Sequence, residues 1–455
     1  MSNEDLPVTE DKKHQEKRFS ATTPAKRFFK LAGMSASITR NIATQKVKGL
    51  FVDEEARQKS QEQLYADIGK QIAETLGEMK GAVMKVGQIA SQVKDILPEE
   101  VSQALEVLQK ASPPMPYTVI RKQFIKALGE PPETLFAEFS DTPFAAASIG
   151  QVHRARTHDG QDVVVKIQYP GVKESCDSDL RHLKRLLKLA GLVKVSKEAI
   201  DATFNEIRQT LHEELDYEHE AQNLLFFAEH YRNHPKVIVP GLVKELSAET
   251  ILTLTYVAGD SLAEVKAPRY SQDTINQIGY LIFETFGRQI YDLHAVHSDP
   301  HPGNFAFRPD GTLIIFDFGA VKRIQPETTD KLRALIRDVL EGRIDTIDDH
   351  MRKIGARTQD AAPIPASYYK EWLDIVMVPF QDYQPFDFGR STIHKRAAKK
   401  AQTDALKVIG QFQPVAETMY IDRVLTGHYW TLMDLGVQAA FRPLVEQIVL
   451  NKPNA

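Results

Sequence analysis

Apolar residues in the first third of the chain recur with the period of an amphipathic helix. The spacing predicts helices over residues 55–94 and about 99–110, and a short third helix after the break at Pro113-Pro114-Met115-Pro116 that runs through about residue 128. Gly129 directly follows the third helix, and glycine is the residue type that most often ends one. We therefore expect an all-helical extension that ends near Phe136.

Beyond Phe136 the pattern changes to an alternation of apolar and polar positions, which is typical of strands. Asp159-Gly160 separates two of these runs and predicts a hairpin turn. The predicted strands cover Val152–Thr157, Asp162–Gln168, about 237–246 and about 250–257. Helical periodicity fills Val172 to about Tyr231 and most of the C-terminal half. This mixture predicts an α+β fold.

These changes divide the chain into four segments. The first is a polar tail, 1–22, which we expect to be disordered. The others are a basic amphipathic segment with the helical extension, a strand-containing lobe and a mainly helical lobe with extra C-terminal helices, at 23–135, 136–258 and 259–455. Ala258-Gly259 is a candidate hinge between the two lobes.

At 455 residues the chain is long enough for two or three compact units or one large domain. The formal net charge of -4 argues against a dedicated nucleic-acid-binding protein. The single cysteine, Cys176, excludes an internal disulfide and a cysteine-rich metal site, and it fits a reducing compartment. No run approaches the length of a membrane span, and the acidic N-terminus fits neither a signal nor a transit peptide. We therefore expect a cytoplasmic protein.

Positive charge is concentrated near the N-terminus, where residues 12–48 hold ten Lys or Arg and one acid, Glu16. The segment from Thr23 to Phe51 is weakly amphipathic, which leaves two interpretations. It is either a helix that lies on an anionic membrane surface or a docking helix with a solvated basic face.

The most informative motif lies at 297–319, where two carboxylates and a carboxamide adjoin short strand-like runs. The run His297 to Asn304 fits the H-x-D-x-x-x-x-N catalytic loop of kinases, with Ser298 in place of arginine. Asp317-Phe318-Gly319 matches the D-F-G motif. Asn304 and Asp317 offer oxygen ligands to Mg²⁺, and Asp299 stands where a catalytic base or a further metal contact belongs.

Lys166 ends the run Val163-Val164-Val165-Lys166, which matches the V-A-I-K strand of kinases. The lysine of that strand contacts the α- and β-phosphates of ATP and needs a carboxylate to fix it. The helical stretch that follows offers several candidates, and the sequence alone does not choose among them. They are Glu213, Glu214, Asp216, Glu218 and Glu220.

The segment before this hairpin aligns with the glycine-rich phosphate loop G-x-G-x-x-G-x-V. Alanines replace the first two glycines, which predicts a stiffer loop over the phosphates because alanine adopts positive φ only at a cost. The residues that we expect to contact nucleotide are Ala145, Ala146, Ala147, Ser148, Gly150, Val152 and Lys166.

Other features depart from ordinary protein kinases. Pro326 and an apparent helix follow Gly319 closely, which leaves no room for a long activation segment. A second D-F-G, at Asp387-Phe388-Gly389, has no catalytic loop before it. Lys85 and Gln88, three positions apart on a predicted helix, share one face.

Together these motifs resemble the UbiB/AarF family of atypical kinase-like proteins, in particular its coenzyme-Q-biosynthesis subgroup. The resemblance runs from about Thr23 to the C-terminal helices. The motifs that carry it are Lys85-x-Gly87-Gln88, the alanine-rich loop at 145–152, Gly150-Gln151-Val152-His153, Lys166-Ile167-Gln168-Tyr169-Pro170-Gly171-Val172, Glu214-Leu215-Asp216-Tyr217, Glu220-Ala221-x-Asn223, Asp299-Pro300-His301-Pro302-Gly303-Asn304 and Asp317-Phe318-Gly319.

The resemblance implies a protein-kinase-like bilobal fold, with a small β-containing N-lobe, a helical C-lobe and a helical extension over the active site. It implies that Glu220 is the partner of Lys166 and that Ala147 restrains nucleotide binding. Lys85 and Gln88 would occupy the pocket where a protein substrate otherwise binds, with Lys85 near the motif that contains Glu214 and Asp216.

The resemblance further implies an ATPase that depends on Mg²⁺ and supports ubiquinone biosynthesis or related isoprenoid-lipid metabolism at a membrane surface. The alternatives are a small-molecule or protein kinase of the same fold, and a non-catalytic, nucleotide-sensing, lipid-binding scaffold. The intact Lys166, Asp299, Asn304 and Asp317 argue against the scaffold. The expected partners are ATP, an anionic membrane surface and lipids or proteins of the isoprenoid-quinone pathway; nucleic acid is not expected, and a homodimer stays open.

Overall fold

The computed structural model describes residues 24–48, 54–79, 103, 114–147, 149–189, 197–404 and 409–450. The predicted polar tail, 1–22, lies outside the described residues, as does most of the helical stretch predicted between 80 and 110. The described residues form two compact units, which divide inside one helix after Gln222. The first unit also contains Gly241–Tyr256, and the second contains Asn223–Pro240 and the chain from Val257 onward.

The described chain combines runs of consecutive helices with short, mostly antiparallel strands, which confirms the predicted α+β class. The helices are α1 Pro24–Lys48, α2 Glu54–Met79, α3 Tyr117–Leu128, α4 Pro132–Leu135, α5 Val172–Leu189, α6 Lys197–Glu214, α7 Tyr217–Tyr231, α8 Gln272–Tyr291, α9 Pro326–Leu340, α10 Ile347–Ile354, α11 Ala366–Val376, α12 Ile393–Asp404, α13 Ala416–Leu435 and α14 Arg442–Leu450. The strands are β1 Glu138–Phe139, β2 Ala145–Ala147, β3 Gly150–Arg156, β4 Asp162–Gln168, β5 Val237–Ile238, β6 Ile251–Thr255, β7 Ala295–His297, β8 Phe305–Phe307, β9 Leu313–Ile315, β10 Val321–Arg323, β11 Phe386–Asp387 and β12 Gln438–Ala439.

The first unit is built on an antiparallel sheet of order β1–β3–β4–β6, in which β2 also pairs with β3, at Gly150 to Val152. The predicted hairpin is confirmed, since β3 and β4 pair along their whole length and Gly160 turns the chain with a φ of 85°. The predicted cap is also confirmed: Gly129 has a φ of 84° and its N–H donates to the carbonyl of Ile125 at 3.1 Å.

Helix α1 packs against α2 and α5 in the first unit. Its apolar positions Met34 and Ile38 are buried in the same core as Ile68 and Ile72 of α2, whereas Phe29 is largely exposed. The central turns of α1 therefore dock on the protein, in agreement with the docking interpretation.

The second unit is mainly helical, and its short strands surround the motif at 297–319. Strand β7 pairs with β10, placing His297 opposite Val321, while β9 lies between β8 and β5. The predicted strand over 237–246 is wrong beyond Ile238. Pro240 lacks the N–H that a further ladder bond needs, and a short 3₁₀ turn occupies Lys244–Leu246.

Among the helices of the described residues, none combines the length and the apolar character that crossing a membrane requires.

Candidate active site

Lys166 lies on β4, and its ammonium group donates to both carboxylate oxygens of Glu220 on α7, at 2.8 Å each. The side chain of Lys166 is 17% exposed and that of Glu220 only 2% exposed. A charge-assisted pair that engages both oxygens fixes the lysine more closely than a single contact would. Of the acids that the sequence offered, Glu220 is therefore the one that holds Lys166.

The start of α7 depends on Asp216, whose Oδ1 accepts the N–H of His219 at 2.9 Å. This is an N-cap contact, and the carbonyl of Asp216 in turn accepts the N–H of Glu220 at 3.0 Å. Asp216 thus fixes the helix end that presents Glu220. Glu214 is the last residue of α6. Lys85 and Gln88 lie outside the described residues, so the expected proximity of Lys85 to Glu214 and Asp216 stays a prediction.

The alanine-rich loop forms one side of a tight hairpin, because β2 pairs with β3 so that Ala147 faces Gly150 and Ala145 faces Val152. Ser148 lies outside the described residues. A Cβ on Gly150 would lie 2.3 Å from the carbonyl oxygen of Ile167 on β4. Glycine is therefore needed here for close approach of two strands, not for an unusual φ.

The catalytic-loop motif is anchored at its start by buried hydrogen bonds. The ring Nε2 of His297 donates to the carbonyl of Asp317, and the backbone N–H of His297 donates to Oε1 of Gln289 at 3.0 Å. Ser298 donates to the carbonyl of Ala320 through its N–H at 2.7 Å and through its hydroxyl at 3.0 Å. The serine that replaces the usual arginine thus ties the loop to the segment after the D-F-G motif.

Asn304 and Asp299 are held together within the loop. Nδ2 of Asn304 donates to Oδ2 of Asp299 at 2.9 Å and to its carbonyl at 3.2 Å. A carboxamide has one nitrogen and one oxygen, so the group that Asn304 offers to a cation is Oδ1. Asp317 follows directly on Phe316, whose N–H donates to the carbonyl of Asn304 at 2.9 Å. Carboxylate and amide oxygens are the ligands that Mg²⁺ prefers, so this donor set fits Mg²⁺.

The D-F-G motif is held by its buried neighbours. Phe318 stacks on Phe227 with ring centroids 5.0 Å apart, and Nδ2 of Asn223 donates to the carbonyl of Phe318 at 3.1 Å. The carboxylate of Asp317 accepts the N–H of Gly319 at 2.9 Å. Asn223 belongs to the motif that begins with Glu220, so this motif supports both the lysine and the D-F-G segment.

The second D-F-G motif has a local structural role. Oδ1 of Asp387 accepts the N–H of Arg390 at 3.2 Å and caps a short 3₁₀ turn. Phe388 is buried against Phe441, with ring centroids 5.3 Å apart. Because Asp387 makes a backbone cap like that of Asp317 but follows no catalytic loop, it is a matched control for Asp317.

A group of metal-type ligands also occurs in the first unit, at Cys176, Asp177 and His212. Nε and one terminal nitrogen of Arg208 donate to the two oxygens of Asp177, at 2.6 and 3.1 Å. These hydrogen bonds, with that from His212, hold the pKa of Asp177 well below its usual range. The carboxylate is thus already engaged by a cation, and the group is an ion-pair cluster.

Gln151, which the motif Gly150-Gln151-Val152-His153 contains but to which no role was assigned, is 1% exposed on β3. Its Oε1 accepts the N–H of Met115 at 2.8 Å, and its Nε2 donates to the carbonyl of Met115 at 3.4 Å and to Nε2 of His153 at 2.8 Å. Nδ1 of His153 donates to the carbonyl of Ser140 at 2.7 Å, and burial lowers the pKa of His153. The two side chains therefore fasten the chain at Met115 to the strand that follows the alanine-rich loop.

Residues 107–351 match the family model described as the ABC1 atypical kinase-like domain. The chain is 32% identical over 374 residues to the mitochondrial atypical kinase COQ8 of Schizosaccharomyces pombe, a match that covers 81% of this chain and 60% of that protein. It is 33% identical over 335 residues to the mitochondrial atypical kinase COQ8 of Saccharomyces cerevisiae, covering 72% of this chain and 66% of the relative. The chain thus spans about three fifths to two thirds of these relatives.

A solved Mycobacterium tuberculosis protein, studied as a complex with erythromycin, is similar in structure. It matches with a TM-score of 0.60 and 30% sequence identity, over 88% of this chain and 98% of that one. The likeness confirms the expected kinase-like fold. With the matching family model, it shows that the chain belongs to the ABC1 atypical kinase-like family, the UbiB/AarF family that its motifs indicated.

Proposed function

We propose that this chain binds ATP together with Mg²⁺ and turns it over, as an ATPase or a kinase for a small molecule. The observation that carries this proposal is the pairing of Lys166 with both oxygens of Glu220 at 2.8 Å. The pair holds a positive charge at a fixed place on β4, and the partial exposure of Lys166 leaves it accessible to phosphate oxygens.

In this proposal Asn304 and Asp317 hold Mg²⁺, which when bound neutralises negative charge on the phosphate oxygens. The hydrogen bonds from Asn304 keep the carboxylate of Asp299 oriented within the loop. Asp299 would accept the proton of the attacking hydroxyl or water. The intact set supports turnover over a role as a non-catalytic scaffold.

The segment after Gly319 favours an acceptor other than a protein. Six residues, 320–325, separate Gly319 from α9, and three of them form β10. A protein kinase uses a longer activation segment at this place to dock its peptide substrate. Lys85 and Gln88 would act on this acceptor side, together with Glu214 and Asp216.

We further propose that the activity supports ubiquinone biosynthesis or related isoprenoid-lipid metabolism at an anionic membrane surface. The similarity to COQ8 proteins supports the pathway, and the basic N-terminal segment supports the surface. Since Met34 and Ile38 are buried in protein, the attachment would be peripheral and mainly electrostatic. Replacing the Lys and Arg residues at 12–48 with Gln, which keeps Met34 and Ile38 in the core, should then weaken pelleting with anionic liposomes, more so at low salt. Unchanged pelleting would show that the basic segment is a solvated surface.

The experiment that tests the activity is ATP hydrolysis by the wild type and by Asp317→Asn, with and without anionic liposomes and a phenol that mimics a ubiquinone precursor. We expect hydrolysis that needs Mg²⁺, increases with the liposomes or the phenol, and is lost in Asp317→Asn. Equal residual activity in the two proteins would rule out turnover at this site. Transfer of radiolabel to a lysate protein would favour the protein-kinase alternative.

A further inference from the structure

Helix α13 approaches the catalytic loop so closely that only glycine fits at the contact. A Cβ on Gly427 would lie 2.1 Å from Cγ and 2.4 Å from Cβ of Pro300. Pro300 directly follows Asp299, and its ring restricts the backbone of the loop at that point. Any side chain at 427 must therefore move either α13 or the residue next to Asp299.

The next residue on the helix supports the other end of the loop. The ring of His428 stacks on Phe286 of α8 with centroids 3.7 Å apart, and it lies 5.7 Å from the ring of Phe305. Phe305 directly follows Asn304 and is itself buried. Two successive residues of α13 thus support the segment from Asp299 to Asn304: Gly427 lies against Pro300 near its start, and His428 lies against Phe305, which follows its end.

The first turns of α13 also contact the chain after the D-F-G motif. Oε1 of Glu417 accepts the N–H of Gln325 at 3.2 Å, and Nζ of Lys322 lies 5.1 Å from the centroid of the Tyr420 ring. Helix α13 therefore also holds residues 320–325, the short segment that follows the D-F-G motif in place of an activation segment.

We propose that α13 positions the catalytic loop for turnover, with Gly427 as a positioning residue. In ordinary protein kinases the activation segment, often phosphorylated, orders the catalytic parts. In this chain a C-terminal helix gives that support permanently, without a modification. The inference rests on the proposed function, because the position of Asp299 matters only if the loop acts on ATP.

The test is Gly427→Ala, compared with Gly279→Ala in α8. A Cβ on Gly279 would lie 2.5 Å from Cγ2 of Val437 and 3.1 Å from Cδ2 of Leu432 on α13. It would therefore also clash, somewhat less severely and with α13 as one neighbour, but it would not meet the loop. We expect both variants to lose thermal stability. Only Gly427→Ala should lower kcat, by about 10- to 100-fold, with a smaller change in the KM for ATP and a higher Mg²⁺ concentration for half-activation.

If Gly427→Ala lowers kcat no more than Gly279→Ala at a comparable loss of stability, the proposal is wrong. The double variant Gly427→Ala/Pro300→Gly covers the case in which the single variant does not fold, since it removes both crowded atoms of the proline. We expect Gly427→Ala to lower stability and kcat much less in the Pro300→Gly background than in the wild type. An equal loss of stability and kcat in both backgrounds would show that the contact between residue 427 and Pro300 does not position the loop.

Hydrogen exchange of the loop separates this inference from the proposed function, because it needs no activity. The N–H of Gly303 donates to Nδ1 of His301 at 3.0 Å, and the N–H of Asn304 to the carbonyl of His301 at 3.0 Å. These amides should exchange faster in Gly427→Ala and at the wild-type rate in Gly279→Ala. If the wild type does not hydrolyse ATP but the loop amides exchange faster in Gly427→Ala than in Gly279→Ala, the proposed function is wrong and the positioning of the loop by α13 still holds. Equal exchange rates of these amides in the two variants would show that α13 does not position the loop.

Discussion

The ammonium group of Lys166 is shared between the two carboxylate oxygens of Glu220, which lies 54 residues later in the chain. The pair joins the central strand of a sheet to a helix, so neither residue can move independently of the other. A lysine fixed in this way has a constant position relative to the hairpin formed by β2 and β3. The pairing explains why the chain carries both the motif that begins with Glu220 and the strand that contains Lys166: each supplies one member of the ion pair.

We expect Lys166→Met and Glu220→Gln each to lower kcat/KM for ATP hydrolysis on the order of 100-fold. The first removes the charge that meets the phosphates, and the second removes the carboxylate that fixes this charge. The double variant should lose little more than either single variant, with a coupling of about 2 to 3 kcal/mol in a double-mutant cycle. Steady-state kinetics on the four proteins measures this coupling. The control is Lys173→Met, which breaks an exposed pair with Glu249 and should retain activity. Additive losses would mean that the two residues act separately.

We expect Gln151→Leu to destabilise the first unit, because it leaves the N–H of Met115 and Nε2 of His153 without their buried partner. Each buried polar group left unpaired costs about 1 to 3 kcal/mol. The midpoint of urea unfolding should fall while the slope stays constant. Gln209→Leu is the control, since Gln209 is exposed on α6. A midpoint equal to that of the control would show that the contact with Met115 contributes no stability.

Because His428 is buried, we expect the free energy of unfolding of the protein to fall in mild acid. Burial lowers the pKa of His428 to about 3, so the folded protein keeps the ring neutral. The unfolded chain binds a proton below a pKa of about 6.5, and stability therefore falls as the pH decreases from there towards the folded pKa. The slope from this residue approaches about 1.4 kcal/mol per pH unit.

His428→Phe keeps an aromatic ring beside Phe286 and removes the titrating group. The free energy of unfolding of this variant should depend less on pH between about 6.5 and 5 than that of the wild type. Chemical denaturation at several pH values measures the difference. Parallel curves for the two proteins would assign the acid sensitivity to other groups.

Ala147→Gly tests the alanine-rich loop. Ala147 faces Gly150 in the hairpin, and glycine at this position would allow the turn more backbone conformations. We expect the affinities for ATP and ADP to change, and calorimetric titration of both nucleotides measures them. Identical affinities in the variant and the wild type would contradict the assignment of this loop to nucleotide binding.

Those features of the fold that depend on neighbouring residues could be predicted from the sequence. The change from helical to alternating period located β3 and β4, Gly129 and Gly160 marked a cap and a turn, and the order of motifs indicated the kinase-like fold. These features depend on neighbouring residues, whose preferences the sequence shows directly.

The remaining parts depend on contacts between distant residues. Gln151 meets Met115 across 36 positions, and Gly427 meets Pro300 through a packing distance that no local pattern encodes. The pattern of acids alone did not choose Glu220, which the family resemblance implied and which the position of α7 against β4 explains. The predicted strand over 237–246 was wrong beyond Ile238, where pairing with β9 stops and Pro240 has no N–H to extend the ladder.

In the proposed function Asp317 holds a metal ion that takes part in ATP binding. Calorimetric titration of ATP into the wild type, Asp317→Asn and Asp387→Asn, with and without Mg²⁺, measures this role. We predict that Mg²⁺ strengthens ATP binding in the wild type and in Asp387→Asn, and that this effect disappears in Asp317→Asn. An equal effect of Mg²⁺ in all three proteins, or none in the wild type, would contradict the account.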